Sequence, residues 1–485
     1  MTDLCDLTAV EMAALLRARD VRAVELTEAH LRRIEQVNGR VNAIVTLVAD
    51  RALAEAAAAD ADLAAGRPRG PLHGLPVAHK DLVDTAGVRT TYGSPLFARH
   101  VPAQDALIVQ RMRAAGAITL GKTNTPEFGT GSHTVNEVFG VTRNPYDTTR
   151  SAGGSSGGAA AALATGMVAL ADGSDMGGSL RNPASFCNVA GLRPTPGLVP
   201  SPSPTAAWYT LSVSGPMART VGDLALLLSV IAGFDRASPL SLPGDGSRFA
   251  GPLGPPETGS LETGSLETGP PETGAGLAGL RVAYSPDLGG LPVDPDVAAV
   301  TAAAPAVFES LGARVERVDL DLSDAEDAFR VYRAWHYALS FGDLPQDRLG
   351  GNVRWNVARG LEVTGADLAR AERLRSGLYQ RMDAFWREYD LLLAPVSQVP
   401  PFPAEDPYVT SVAGVPMPDY LAWMRSAYWV SVLHAPAASV PCGFTPAGLP
   451  VGVQLVGPPF EDLAVLRAAA AFEAATGHGS RRPPL

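Results

Sequence analysis

Two short segments rich in glycine and serine, and one lysine upstream of them, could support nucleophilic catalysis. Residues 153–158 read GGSSGG and include Ser155, and residues 173–183 read GSDMGGSLRNP and include Ser179, 24 residues further on. A serine hydroxyl is a poor nucleophile unless a base takes its proton. Lys80 follows the apolar run LPVA, and burial could lower its pKa from about 10.4 so that it serves as that base. An isolated lysine at a strand end is usually a surface residue, so the interpretation rests on the three features together.

A second motif matches the pattern of a phosphate-binding loop. Residues 116–123 read GAITLGKT, which fits GxxxxGK[ST]. A phosphate loop must wrap backbone N–H groups around an anion, and a helix must follow it. Here the central residues AITL are typical of a buried strand, and Pro126 disfavours the helical conformation at Thr125. The sequence therefore argues against nucleotide binding.

A third motif resembles the nucleophile elbow of α/β-hydrolases. Residues 154–158 fit G-x-S-x-G and would make Ser156 the nucleophile. An elbow follows a hydrophobic strand, whereas the polar segment NPYDTTR at residues 144–150 precedes this one. No downstream histidine lies in a clear catalytic context. The alternative of a flexible Gly-Ser linker is weakened by the ordered-looking segments on either side.

The paired serine segments and the upstream lysine together resemble the amidase signature family of serine amidases. The match runs from residue 74 to residue 194 and returns in GLPVGVQLVG at residues 448–457. It covers nearly the whole chain except residues 236–276. The resemblance implies one α/β domain over residues 1–485, with a mixed central β-sheet covered by helices on both faces. It also implies hydrolysis of a carboxylic amide through an acyl-enzyme, with no metal and no cofactor.

The resemblance also assigns roles to individual residues. Ser179 matches the nucleophile, Ser155 the serine that relays its proton, and Lys80 the base, and a cis peptide bond would precede Ser155. The residues whose backbone N–H groups would form the oxyanion hole are Met176, Gly177 and Gly178. The residues that would support the loops are Ser156, Asp175 and Arg181. The residues that would contact the substrate are Gly129 and Thr130.

Strand and helix patterns alternate along the chain, as an α/β architecture requires. Residues 1–65 carry helical patterns, and residues 66–235 contain the catalytic segments. Residues 236–276 include four copies of ETG with a period of five, which is typical of a flexible low-complexity insertion. Residues 277–485 resume the alternation and would complete the sheet and the substrate pocket.

Composition limits the partners that the chain can have. It contains 485 residues, of which 46% are hydrophobic, and its net charge is −11, so it lacks the basic surface that nucleic acid requires. Its three cysteines and eight histidines show neither a disulfide framework nor zinc-site spacing. We recognise no signal peptide and no membrane-spanning segment. We therefore expect a soluble cytoplasmic enzyme, without nucleic-acid or membrane partners, that could form a homodimer.

Departures from the family pattern bear on the substrate. The branch that serves tRNA amidotransferases has Asp-Thr-Gly-Gly-Ser-Ile-Arg-Gln-Pro where residues 175–183 read DMGGSLRNP. We therefore expect a small neutral aliphatic or aryl amide as substrate, with esters and carbamates left open. One alternative is the A subunit of a glutamyl/aspartyl-tRNA amidotransferase, which needs partner chains. Another is a non-catalytic binding protein on an amidase scaffold, which the intact Lys80, Ser155 and Ser179 disfavour.

Overall fold

The computed structural model describes residues 3–254 and 276–485. Fifteen strands lie in these residues, and eleven of them form one mixed sheet. In chain order the strands are β1 Ile44–Leu47, β2 Pro76–Lys80, β3 Ile118–Thr123, β4 Val135–Asn136, β5 Gly140–Val141, β6 Leu170–Asp175, β7 Ala190–Arg193, β8 Val213–Ala218, β9 Arg281–Tyr284, β10 Arg314–Arg317, β11 Leu391–Pro395, β12 Ser411–Val412, β13 Val415–Pro416, β14 Ala437–Phe444 and β15 Pro450–Val456.

The order of strands across the large sheet is β1-β3-β2-β6-β8-β7-β14-β15-β11-β9-β10. Strand β2 runs parallel to its neighbours β3 and β6, and β9 runs parallel to β10 and β11. The remaining pairs in this sheet are antiparallel. The carboxyl ends of β2 and β6, which carry candidate site residues, therefore lie at the same edge of the sheet.

Helices cover both faces of the sheet, which confirms the predicted fold class. Successive residues of β11 show this directly, because Leu391 and Leu393 pack into one hydrophobic cluster and Leu392 into another. The α-helices of the described residues are α1 Ala9–Ala18, α2 Ala23–Val41, α3 Ala49–Ala64, α4 Leu107–Ala114, α5 Gly157–Ala164, α6 Arg181–Phe186, α7 Val221–Ile231, α8 Pro295–Thr301, α9 Ala304–Ser310, α10 Asp324–Phe341, α11 Gly351–Leu361, α12 Gly365–Trp386, α13 Arg425–Val432 and α14 Asp462–Thr476.

Two sequence-based expectations need correction. The N-terminal segment 1–65 was expected to contain only helices, but β1 lies between α2 and α3 and pairs with β3, because an edge strand of four residues carries little periodicity. The predicted insertion 236–276 is also too long, since Phe249 within it is buried in the main hydrophobic cluster. Its ETG repeats lie in residues 255–275, outside the described residues.

Two further properties of the described residues concern their cysteines and the length of their apolar helices. All three cysteines are buried and unpaired. Between residues 3 and 254 and between 276 and 485, no helix has the length and apolar character needed to cross a bilayer.

Candidate active site

Lys80 ends β2, and its side chain is completely buried. Its Nζ atom donates hydrogen bonds to three serine hydroxyls: Ser155 at 2.6 Å, Ser156 at 2.9 Å and Ser174 at 3.1 Å. The first two of these serines precede α5, and the third lies in β6, the neighbour of β2. The sequence interpretation included Ser155 and Ser156 but missed Ser174, although Ser174 lies in the second glycine-serine segment.

Burial lowers the pKa of Lys80 to about 7, because the apolar interior destabilises the ammonium form. The carboxylates of Asp172 and Asp175 act in the opposite direction and raise this pKa, without offsetting the effect of burial. A large fraction of Lys80 is therefore neutral near pH 7, as a lysine that accepts a proton must be.

Ser155 follows a cis peptide bond from Gly154, as the family resemblance implies. The carbonyl of Gly154 accepts a hydrogen bond from Ser132 Oγ at 2.7 Å. A Cβ atom on Gly154 would lie 2.8 Å from the backbone nitrogen of His133, so only glycine fits against this neighbouring segment. The glycine thus allows the loop to place Ser155 beside Lys80.

Ser155 and Ser179 line the same cavity, which has a volume of about 130 Å³. Ser179 lies just before α6, and its carbonyl accepts a hydrogen bond from the backbone N–H of Ser156 at 3.3 Å. The two glycine-serine segments thus come together although they are separate in sequence. Ser156 itself is fully buried and does not line the cavity, which argues against the nucleophile elbow.

The two residues expected to contact the substrate occupy different places. Gly129 lines the cavity beside Ser155, and a Cβ atom on it would lie 3.4 Å from Ser155 Oγ. Thr130 does not line this cavity, and its hydroxyl is hydrogen-bonded to that of Tyr337 at 3.0 Å. Thr130 instead borders an adjacent cavity of about 290 Å³.

The expected oxyanion hole is only partly available. Met176 and Gly177 line the cavity with Ser179. The N–H of Gly178, in contrast, donates to the carboxylate of Asp175 at 2.8 Å, and Gly178 does not line the cavity. A buried carboxylate accepts the N–H of Gly178 here, so the contribution of Gly178 to the oxyanion hole stays a prediction.

Asp175 and Arg181, expected to support the loops, form a buried ion pair behind the cavity. Arg181 Nε lies 3.1 Å from Asp175 Oδ2, and Arg193, which the sequence interpretation missed, lies 3.5 Å from Oδ1. Burial alone would raise the pKa of Asp175, but the two guanidinium groups hold it well below its ordinary value. Arg181 also donates to Gln454 of β15 at 2.9 Å, which joins the serine loop to the far half of the sheet.

A buried carboxylate that the sequence interpretation also missed lies beside Lys80. Asp172 accepts the backbone N–H of Lys80 at 2.9 Å, and its other oxygen lies 2.5 Å from Nδ1 of His79. Both side chains are almost completely buried. The sequence does contain a signal for Asp172, because it is an acidic residue that directly follows apolar residues in β6. A carboxylate buried at such a position requires a polar partner.

Helix α10 supplies the opposite wall of the cavity. Its residues that line the cavity are Arg333, His336, Tyr337 and Phe341. Arg333 was absent from the sequence interpretation because its position on a helix shows no motif.

The motif that resembled a phosphate loop is not one. Six of its eight residues form β3, a fully buried strand between β1 and β2. Lys122 is buried there and donates to the carbonyl of Val83 and to Thr85 Oγ1, rather than extending from a loop.

Comparison with known proteins shows the family of this chain. The family model described as Amidase matches residues 25–466. An acylamidase of Rhodococcus erythropolis is 36% identical over 482 residues, which cover 98% of this chain and 97% of that protein. The A subunit of the glutamyl-tRNA(Gln) amidotransferase of Moorella thermoacetica is 37% identical over 516 aligned positions, covering 99% and 98%.

A solved structure of a bacterial aryl acylamidase of the amidase signature enzymes superposes with a TM-score of 0.86 at 28% identity, covering 98% of this chain and 99% of that one. The chain therefore belongs to the amidase signature family, and it is an amide hydrolase.

Proposed function

We propose that this chain hydrolyses small carboxylic amides by itself, through an acyl-enzyme on Ser179. The observation that carries the proposal is the 2.6 Å hydrogen bond from a buried lysine to Ser155, which shares a cavity with Ser179. A lysine whose pKa is about 7 can accept a proton near neutral pH and return it later.

In the first half-reaction, neutral Lys80 accepts the proton of Ser155, while Ser155 accepts the proton of Ser179. The Ser179 oxygen attacks the amide carbonyl carbon and forms a C–O bond. Backbone N–H groups next to the cavity, at Met176 and Gly177, are our candidates for stabilising the resulting oxyanion. The C–N bond then breaks, and the proton passes through Ser155 to the leaving amine.

In the second half-reaction, water takes the place of the amine. It attacks the acyl carbon and loses a proton through Ser155 to Lys80. The C–O bond to Ser179 breaks, the proton returns to Ser179, and the carboxylic acid leaves. No net proton is gained by the protein over the cycle.

The size of the cavity, about 130 Å³, favours a small aliphatic or aryl acyl group. The same cavity is also lined by Arg333, whose guanidinium group is buried. Our proposal therefore does not require the substrate to be neutral. The alternative role as an amidotransferase A subunit keeps the same chemistry but needs partner chains. The net charge of −11 and the altered residues around Ser179 favour the free hydrolase.

A labelling experiment tests the nucleophile. A serine-directed fluorophosphonate should modify only the peptide that contains Ser179, and Ser179→Ala should abolish labelling. Modification of Ser156 would instead favour the nucleophile elbow.

An activity experiment tests the free hydrolase. The isolated chain should hydrolyse a panel of small amides without ATP or tRNA. If it is inert alone but becomes active with the partner subunits of its host's amidotransferase, the free-hydrolase proposal is wrong.

A further inference from the structure

Arg333 is a buried cation in the wall of the candidate active-site cavity. It lies on α10, only 4% of it is exposed, and it lines the cavity together with Ser155 and Ser179. The mechanism above uses none of its N–H groups. Its role therefore needs a separate explanation.

Neutral groups supply the hydrogen-bond partners of Arg333. Nη2 donates to the hydroxyls of Tyr337 at 2.9 Å and Tyr420 at 3.0 Å, and Nε donates to Asn356 Oδ1 at 3.1 Å. Nη1 lies 3.2 Å from the sulfur of Met176, which is a weak acceptor. Met176 also lines the cavity, so the least satisfied edge of the guanidinium borders the space for substrate.

Of the other three buried arginines in the described residues, two have a carboxylate partner, whereas Arg219, far from this cavity, donates to the backbone carbonyls of Val168 and Leu7. Arg181 and Arg193 contact Asp175, and the partly buried Arg330 contacts Asp419 at 2.7 Å. Over residues 3–254 and 276–485, no carboxylate lies within 4.0 Å of Arg333. The aromatic ring of Tyr337, 4.5 Å from its guanidinium carbon, offsets the buried charge only in part.

A buried charge is costly unless an opposite charge pairs with it. The planar guanidinium fork matches a carboxylate, with which it forms two parallel hydrogen bonds. A carboxylate entering the cavity would meet Nη1 and supply the charge that the surrounding side chains do not. The small volume of the cavity limits such a ligand to a few bonds between its carboxylate and the amide.

We propose that Arg333 binds a carboxylate on the substrate, so that the enzyme selects amides that carry a carboxylate close to the scissile bond. This inference rests on the proposed function and specifies its substrate class. Two types of substrate carry a carboxylate close to the amide bond. In monoamides of short dicarboxylic acids the carboxylate lies on the acyl side, and in N-acyl amino acids it lies on the amine side.

The kinetic experiment uses matched pairs of substrates. Succinamate is compared with its neutral methyl ester, and N-acetylalanine with its neutral methyl ester, by following release of ammonia or of the amino compound. We expect the wild type to prefer the anionic member of one pair by at least about tenfold in kcat/KM, which corresponds to one charge-assisted contact. The substrate pair that shows the preference identifies the side of the scissile bond on which the recognised carboxylate lies.

Variants then separate binding from folding. Arg333→Met should abolish the preference, mainly through KM, by lowering kcat/KM for the anionic substrate at least about tenfold more than for its neutral ester, whereas Arg333→Lys should retain part of the preference. Arg354→Gln removes the same charge from the exposed surface of α11 and should preserve the preference. A wild type without any anionic preference, or an equal loss on both members of a pair in Arg333→Met, overturns the inference.

A binding measurement does not depend on turnover. In Ser179→Ala, succinate should bind by calorimetry and raise Tm, whereas the neutral diamide succinamide should not. The additional change Arg333→Met should remove succinate binding. If no amide is hydrolysed but this pattern holds, the proposed function fails and the anion site stands. If succinate and succinamide behave alike, the anion site is wrong whatever the activity.

Discussion

The carboxyl ends of β2 and β3 each carry a buried lysine, and only one of them belongs to the candidate site. Lys80 and Lys122 lie on adjacent parallel strands, and both are completely buried. Burial lowers the pKa of Lys80 to about 7 and that of Lys122 to about 8. Burial by itself therefore does not distinguish a candidate base from a structural lysine.

The register of the strands and the partners of each amine make the distinction. Lys122 is aligned with His79 and Lys80 with Thr123, so the two lysine side chains leave the sheet on opposite faces. Lys80 donates to three serine hydroxyls, and two of these serines, Ser155 and Ser174, line the cavity. Lys122 meets a carbonyl and one threonine. A lysine in the interior can act as a base only where a proton donor connects it to the substrate.

The largest effect should follow removal of the candidate base. Lys80→Ala should lower kcat/KM by at least about 10³-fold, because no other described side chain replaces its contact with Ser155. Steady-state kinetics on a hydrolysed amide, with Tm measured in parallel, would check this. Activity close to that of the wild type in a folded variant would exclude the relay.

The pH dependence should reveal the protonation of Lys80. The neutral amine is the active form, so kcat/KM should be constant well above pH 7 and fall about tenfold per unit below it, with a midpoint near the pKa of about 7. Measurements between pH 5 and pH 9 would define the curve. A rate that increases toward acid pH would contradict the role of Lys80 as a base.

A smaller effect should follow neutralisation of the neighbouring carboxylate. Asp172 favours the ammonium form of Lys80, so Asp172→Asn should lower the lysine pKa and move the midpoint toward acid pH. The asparagine oxygen can still accept the Lys80 N–H. A purely structural role would lower the rate without moving the midpoint, so the pH profile distinguishes the two.

Loss of the Ser156 hydroxyl next to Lys80 should lower kcat/KM less than loss of Lys80 itself. Ser156→Ala removes an acceptor at 2.9 Å that lies outside the cavity, and we expect a three- to about tenfold decrease in kcat/KM, the value of one hydrogen bond. Ser155→Ala is the matched comparison and should be far more damaging. Equal losses in both variants would remove the special role of Ser155.

The smallest effect should come from the second lysine. Lys122→Met should change kcat/KM by less than about threefold and leave the midpoint of the pH profile unchanged, since Lys122 does not line the cavity. The comparison requires that Tm show a folded variant. A loss similar to that of Lys80→Ala would mean that both strand ends take part in catalysis.

The sequence by itself determined the fold class and brought Lys80, Ser155 and Ser179 forward as candidates. These residues could be recognised because the two serines lie in short glycine-rich segments and the lysine directly follows an apolar strand, so each has a local sequence pattern. The four residues of β1 left no such pattern, and neither did the sheet order that joins residues distant in the chain.

Only the tertiary structure decided which groups surround the candidate triad. Asp172 belongs to the site because β6 pairs with β2, and Arg333 because α10 packs across the cavity. The N–H of Gly178 is taken by Asp175, although the local sequence suggested a free donor. Hydrogen bonds and charges act over a few ångströms in space, and a local sequence pattern does not show which groups the folded chain brings within that distance.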